Sequence, residues 1–277
     1  MGFKRILVQV DASPRASARL KISNHLAEVF GGQLLILYAA NPTGFVANEI
    51  SPEAASILKK AIEWDERRES CALSMVTRTL VDSDRYSDWV VDRGKADEAC
   101  VRHSVYADLL VVGQTDPSGG NEVSLGFVDS VVCTAGSPIL VVPHTGEFPT
   151  VGESILVAWN GSQQAARAVK DAMPFFREAK HVHIVSYDLG REIFEDIVMP
   201  GANLAIYLGC HGIMATVYDL RGSRSEIVPL LLSRAKSLGS DLIVLGAYGY
   251  SCAFEVALGS TTKDMLQQMT IPVLMAH

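Results

Sequence analysis

The chain has 277 residues, more than one average domain, and this length predicts two domains. Hydrophobic residues make up 48% and charged residues 20%, so the chain can build a sizeable core and wholesale disorder is excluded. A net charge of −7 argues against nonspecific nucleic-acid binding, and no apolar run approaches the ~20 residues of a membrane span. The first residues, MGFKR, lead directly into a strand-like segment rather than a signal sequence, so we expect a cytoplasmic protein.

Short apolar runs alternate with segments of helical period, which is typical of a parallel sheet covered by helices on both faces. The first half predicts strands near 4–10, 33–39, 73–80, 108–113 and 138–142, and helices near 14–30, 51–69, 94–105 and 124–135. The second half predicts strands near 154–159, 181–187, 213–219, 241–246 and 271–275, and helices near 163–178, 201–211, 224–238 and 258–269. Ser13 and Pro14 are predicted to be the N-cap and first residue of the first helix.

The chain also repeats itself. The segment ILVQVDAS at 6–13 returns 149 residues later as ILVAWNGS at 155–162, and ADLLVVG at 107–113 returns as SDLIVLG at 240–246. Such self-similarity predicts one module written twice, in domains 1–145 and 153–277. The fold class is therefore α/β, with two tandem doubly wound parallel five-stranded sheets.

A glycine-rich loop follows the fourth strand of the second half. It has the spacing G-x2-G-x9-G-S, and its last glycine opens the final helix. Glycine lets backbone approach a ligand closely, and the free N–H groups of a helix N-terminus suit phosphate oxygens. The loop therefore indicates an anion-binding site at the carboxyl ends of the strands, and turn glycines with a serine N-cap are the alternative.

These segments, with the closing IPVLM, resemble the universal stress protein family in its tandem, two-domain form. The resemblance spans both halves and is most specific in the second. It implies an adenine-nucleotide α-hydrolase-like, Rossmann-type fold and, for members with this glycine signature, binding of ATP or another adenine nucleotide, with or without magnesium. It also implies that the two halves pair through their last strands. Further homodimerisation and an unidentified protein partner stay open.

The resemblance places the nucleotide contacts in the second half. The matching positions are Ala158, Trp159, Asn160, Tyr187, Leu245, Gly246, Tyr248, Gly249, Gly259, Ser260, Thr261 and Thr262. Asn160 departs from the family's usual aspartate, and its amide can donate as well as accept. Tyr187 replaces a smaller aliphatic residue, so it either stacks on the base or crowds it.

In the first half, Gly113 and Gly126 keep the spacing of Gly246 and Gly259, but the residues that complete the signature are different. Asp116 stands at the middle glycine and Phe127 at the phosphate-facing serine, whereas Asp11 keeps the family's acidic residue. A carboxylate ~4 Å from a phosphate costs about 4 kcal/mol at an effective dielectric near 20, and a lost hydroxyl contact removes about 1.5–3 kcal/mol more. We therefore expect this half to be a structural or regulatory partner without a nucleotide of its own.

Enzyme signatures are scarce, since GxxxxGK[ST], HExxH and GxSxG are all absent. His181 and His183 share one face of a strand but lack a visible third ligand, so no metal site is predicted. The sequence favours a stress-response binding and signalling module without catalytic residues, in which slow ATP hydrolysis or autophosphorylation would be incidental. Two alternatives stay open: a weak ATPase or nucleotide transferase, and a nucleotide-free scaffold whose pocket Tyr187 fills.

Overall fold

Strands and helices alternate along the chain in the computed structural model, which describes residues 2–39, 52–81, 83–116, 126–187, 200–220, 223, 225–248 and 261–277. The strands are β1 Arg5–Val10, β2 Gln33–Tyr38, β3 Tyr86–Val91, β4 Leu109–Gly113, β5 Ile139–Val142, β6 Ser154–Trp159, β7 His181–Tyr187, β8 Ala215–Leu220, β9 Leu242–Gly246 and β10 Val273–Ala276. The helices are α1 Ala16–Phe30, α2 Pro52–Thr79, α3 Ala96–Ser104, α4 Phe127–Thr134, α5 Gln163–Asp171, α6 Met173–Glu178, α7 Pro200–Cys210, α8 Ile227–Leu238 and α9 Thr261–Gln268.

The strands form one ten-stranded sheet in the order β3-β2-β1-β4-β5-β10-β9-β6-β7-β8. Neighbouring strands are parallel within β1–β5, the N-terminal half, and within β6–β10, the C-terminal half. Among the described strands, only β5 and β10 pair antiparallel, with Leu140 opposite Leu274. The predicted α/β class is confirmed, and the two five-stranded sheets join through their last strands.

The sheet separates two hydrophobic layers. Successive strand residues alternate between them, so Val8 belongs to one layer and Leu7 to the other. The first layer contains buried residues of α1 and α5, and the second contains buried residues of α4 and α9. Because each layer runs through both halves, the core is continuous across the β5–β10 junction. Among the described helices, none is both long enough and apolar enough to span a bilayer.

The predicted third strand at 73–80 is wrong. Helix α2 continues to Thr79, and the third strand is Tyr86–Val91. Ala72, Val76 and Leu80 are buried and spaced four apart, which places them on one face of a helix. The apolar run therefore belongs to the buried side of an amphipathic helix.

Two predictions about helix ends are also wrong. Helix α1 begins at Ala16, and its N-cap is Arg15, whose side chain makes no capping hydrogen bond. Ser13, the predicted cap, lies before this position, and its hydroxyl donates to Asp11. The single helix predicted at 163–178 divides into α5 and α6 at Ala172. Pro174 lies in the first turn of α6, and its lack of an N–H prevents the ladder of α5 from continuing.

Candidate functional site

The candidate site lies where the parallel strands of the C-terminal half end. Because β5 and β10 are antiparallel, the strands of the N-terminal half end at the opposite edge of the sheet. In the C-terminal half, β6 and β9 are neighbours in register, with Ala158 opposite Leu245. Both residues are buried, so the groups that could meet a ligand come from the residues that follow these strand ends. The strand ends therefore supply two adjacent backbone segments, one leading into α5 and the other into the glycine loop.

The turn after β6 is held by its own side chains. Asn160 Oδ1 accepts a hydrogen bond from the Ser162 N–H at 3.1 Å, and Ser162 Oγ accepts from the Ala165 N–H at 3.2 Å. Gly161 between them has a φ of 71°, which glycine adopts without strain. The Asn160 side chain thereby forms an Asx turn, and Ser162 is the N-cap of α5. The turn fixes Asn160 at the carboxyl end of β6. We call the region around Asn160 and Gly246, where β6 and β9 end, the C-terminal crevice, and the equivalent region around Asp11 and Gly113 the N-terminal crevice.

Gly246, the last residue of β9, packs against the start of α5. A Cβ added at Gly246 would lie 2.3 Å from Ala165 N and 2.5 Å from Gln164 C. These are backbone atoms of the first turn of α5, which cannot move aside as a flexible side chain can. Glycine is therefore required by the packing of helix on strand, whether or not a ligand is present.

Tyr248 connects the end of β9 to helix α9. Its φ is 49°, which is unusual for a residue other than glycine, and its side chain is buried. The Tyr248 N–H donates to Thr262 Oγ1 at 3.1 Å, and its hydroxyl donates to Asp129 Oδ1 of the N-terminal half at 2.5 Å. Its side chain is thus directed at the N-terminal half, and its backbone at the first turn of α9.

Of the other predicted contacts, four are described by the structure and three lie outside the described residues. Trp159 is half-buried and packs against the first hydrophobic layer, whereas Tyr187 is 6% exposed and belongs to the second layer with Ala158 and Leu245. Thr261 and Thr262 begin α9, and Thr262 is buried. Gly249, Gly259 and Ser260 lie outside the described residues, so the geometry of the glycine loop stays a prediction. The structure therefore brings together the ends of β6 and β9 and the start of α9.

The corresponding edge of the N-terminal half contains a buried ion pair that the sequence did not predict. Arg19 Nη2 lies 3.1 Å from Asp11 Oδ1, with only 2% and 1% of these side chains exposed. Arg19 Nε donates to Gln9 O at 2.9 Å, and the Asp11 carboxylate also accepts from the N–H and hydroxyl of Ser13. The acidic residue that follows β1 is therefore fully engaged inside the protein.

Arg19 also occupies the space beside β4. A Cβ added at Gly113 would lie 2.5 Å from Arg19 Nη1, at the place where Gly246 meets helix backbone in the other half. The residue 149 positions after Arg19 is Ala168, which is also buried. This arginine-for-alanine difference between the two repeats is the signal by which sequence comparison could have found the pair. Phe127 is buried at the start of α4, and Asp116 is half-buried.

The histidine pair on β7 does not form part of a larger ligand set. The rings of His181 and His183 stack with centroids 6.2 Å apart, and His183 also packs against Tyr218. Burial, and secondarily the neighbouring His181, lowers the pKa of His183. Within the described ranges, no three histidine, cysteine or acidic side chains are grouped so as to hold a metal ion.

The fold and this edge define a class: a tandem α/β protein whose two doubly wound halves share one sheet and differ at their crevices. No protein-family model matches the chain. A curated universal stress protein of Thermus aquaticus is 29% identical over 145 residues, which are 50% of this chain and 98% of that protein.

Two solved structures resemble the whole chain. A universal stress protein from Archaeoglobus fulgidus superposes with a TM-score of 0.70 at 17% identity, covering 98% of this chain and 95% of its own. A putative universal stress protein from Pseudomonas aeruginosa superposes with a TM-score of 0.57 at 16% identity, covering 99% of this chain and 93% of its own. At such identities these likenesses show the fold. With the sequence match, they confirm the resemblance to universal stress proteins that the repeated motifs indicated.

Proposed function

We propose that the C-terminal half binds ATP or a related adenine nucleotide, and that the chain acts as a stress-response binding and signalling module in the cytoplasm. The observation that carries the proposal is the difference between the two crevices. The N-terminal crevice contains the buried Asp11–Arg19 pair, whereas the C-terminal one has Asn160 and Ala168 at those positions. The N-terminal half is then the structural or regulatory partner.

The groups at the C-terminal crevice suit a nucleotide. Asn160 Oδ1 already accepts from Ser162, so its amide nitrogen is the group left to donate to a ligand oxygen. At α9, the first backbone N–H groups have no partner within the helix and suit phosphate oxygens. Thr262 Oγ1 accepts from the Tyr248 N–H, which leaves the hydroxyl proton of Thr262 available for donation. If magnesium accompanies the nucleotide, its ligands would come mainly from phosphate and water oxygens.

Calorimetric titration of the full chain with ATP, ADP and AMP tests the proposal. We expect about one nucleotide per chain, and a stoichiometry near two would contradict the assignment to one half. Asn160→Leu removes the Asx turn and the amide donor, and should weaken binding by about tenfold or more. Ser17→Ala, a small change on α1 of the N-terminal half, is the control and should leave affinity unchanged. Retention of full affinity by Asn160→Leu would refute the assigned crevice.

Gly249→Val tests the loop itself. Since the sequence places Gly249 at the middle of the phosphate-binding signature, this variant should no longer retain nucleotide while its fold stays intact. Mass spectrometry of small molecules released on denaturation identifies the resident nucleotide in wild type. Multiple-turnover assays with ATP and magnesium distinguish a binding module from an enzyme. Turnover rates near background favour the binding module over a weak ATPase or nucleotide transferase.

One observation favours the nucleotide-free scaffold as a second candidate. Tyr187 packs into the hydrophobic layer beneath the crevice, and only 6% of it is exposed. If its ring fills the space for a base, wild type should show no thermal shift with ATP, and Tyr187→Val should gain one. If the crevice is open, wild type shows the shift and Tyr187→Val changes it only modestly.

A further inference from the structure

Helix α9, which opens the proposed phosphate site, is hydrogen-bonded to the N-terminal half near its C-terminal end and is linked to that half through Tyr248 near its N-terminal end. We propose that three residues, Gln114, Asp129 and Tyr248, form an inter-half clamp that positions α9 and so sets the affinity of the C-terminal half for its ligand. The statement about affinity rests on the proposed function, whereas the statement about position does not.

The C-terminal end of α9 is held by Gln114, which directly follows β4 and is 2% exposed. Gln114 Nε2 donates to Leu266 O at 2.7 Å and to Gln267 O at 3.3 Å. These carbonyls belong to the last turn of the helix, where backbone acceptors lack intrahelical partners. One amide of the N-terminal half thus satisfies groups at the end of a helix in the other half.

Gln114 is itself fixed in orientation. Its Oε1 accepts from the His144 backbone N–H at 3.0 Å and lies 2.7 Å from His144 Nδ1. With its oxygen held on that side, the amide nitrogen must face α9. Rotation of the amide would break bonds on both sides, so this end of the clamp is rigid.

The N-terminal end of α9 is held through Tyr248. Its N–H donates to Thr262 Oγ1, and its hydroxyl donates to Asp129 in the first turn of α4. A hydroxyl that donates to a carboxylate makes a short, charge-assisted hydrogen bond. The positive φ of Tyr248 allows its backbone and side chain to face these two partners at once.

Both ends of the clamp act across the junction of the sheet. Strands β5 and β10 already join the halves, but they fix the strand that follows α9 rather than the helix. Displacing the first turn of α9 requires loss of the Tyr248–Thr262 bond, loss of the Tyr248–Asp129 bond, or movement of α4 with the turn. Residues of the N-terminal half, which would touch no ligand, therefore control where the first N–H groups of α9 point.

The test compares Asp129→Ala with Asp129→Asn in the full-length chain. Asparagine keeps an oxygen that can accept from the tyrosine hydroxyl, whereas alanine does not. We expect Asp129→Ala to raise the dissociation constant for ATP by about fivefold to twentyfold, and Asp129→Asn to stay within about twofold of wild type. An unchanged constant in Asp129→Ala would overturn the control of affinity.

Amide hydrogen exchange without nucleotide tests the positioning by itself. Asp129→Ala should accelerate exchange in the first turn of α9, with α1 Ala16–Phe30, which packs on the opposite face of the sheet, as an unaffected reference. Unchanged exchange overturns the positioning, even if wild type proves not to bind ATP and the proposed function fails. Should Asp129→Ala not fold, Gln114→Met removes the other donor at similar side-chain length, and should accelerate exchange in the last turn of α9.

Discussion

The turns after β1 and β6 begin from the same repeated sequence and are stabilised in different ways. After β1, Asp11 accepts from both donors of Ser13 and pairs with Arg19, so that a charge is neutralised inside the protein. After β6, Asn160 accepts only from the Ser162 N–H, and no charge needs neutralising at Ala168. The first arrangement uses the crevice for internal contacts, and the second leaves polar groups of the turn for a ligand.

The position of the serine hydroxyl differs in the same way. Ser162 caps α5, which starts at the next residue, whereas Ser13 donates to Asp11 and α1 starts only at Ala16. The Ser13 hydroxyl is oriented towards the Asp11 carboxylate, and a hydrogen bond to a charged acceptor is a strong one. The change between acid and amide alters the charge of the turn, and it is accompanied by two further differences before the helix, Ala12 for Gly161 and Pro14 for Gln163.

The largest effect expected is that of Arg19→Ala. It leaves the Asp11 carboxylate buried without its counter-charge, which costs about 3–5 kcal/mol of unfolding free energy. The double variant Asp11→Asn with Arg19→Ala copies the C-terminal half and should recover much of that loss, apart from the cavity left by the arginine. Urea denaturation measures both. A double variant as unstable as the single one would show that packing, not charge, is the function of Arg19.

Much of the fold could be predicted because a parallel sheet leaves a clear pattern of short buried runs separated by helices. The failure at 73–80 arose where the pattern is ambiguous: Met75 and Val76 fit a buried strand, but Ala72, Val76 and Leu80 together fit a helix face that only the packed structure selects.

The sequence could predict the position of residues that belong to a single motif. It could not predict contacts between residues that are far apart along the chain. The sequence places Asn160 directly after a strand and Gly246 at the end of one, each within a repeated motif, and the structure has both there. Their contact with a nucleotide stays a prediction. Arg19 was missed because a lone arginine in a helix is usually exposed, and its partners lie on β1 and β4, which only the fold brings together. The Tyr248–Asp129 bond spans 119 residues and leaves no local signal in the sequence.

The second prediction compares the two equivalent glycines. Gly246→Ala places a methyl group against the backbone of α5 and should lower the unfolding free energy by about 3 kcal/mol. Gly113→Ala meets the tip of the Arg19 side chain, which can shift, and should cost about 1 kcal/mol. Chemical denaturation of both variants tests the difference. Equal losses would mean that the Arg19 tip is as immovable as a helix backbone.

The third prediction concerns the cap of α5. Ser162→Ala removes the acceptor for the Ala165 N–H and should cost about 1 kcal/mol, whereas Ser162→Asn keeps a capping side chain and should cost only a few tenths. Thermal unfolding of the two variants distinguishes a capping effect from a simple effect of side-chain size. If asparagine is as harmful as alanine, the hydroxyl has a function other than capping.

The smallest effect expected is a pH dependence confined to the C-terminal half. His183 stands on β7 where the register of the N-terminal half has the buried Leu35, and burial lowers the pKa of the imidazole. A histidine whose pKa is lower in the folded state binds fewer protons there than in the unfolded chain. The unfolding free energy therefore decreases as the pH falls through about 6.5, the pKa of histidine in the unfolded chain.

Because His183 is partly exposed, we expect the unfolding free energy of wild type to decrease by less than about 1 kcal/mol from this source between about pH 7.5 and 5.5. His183→Leu should lose correspondingly less than wild type when both are unfolded in urea at the two pH values. Identical pH dependence of the two proteins would show that His183 titrates alike in the folded and unfolded chain, and that its place beside the core has no electrostatic cost.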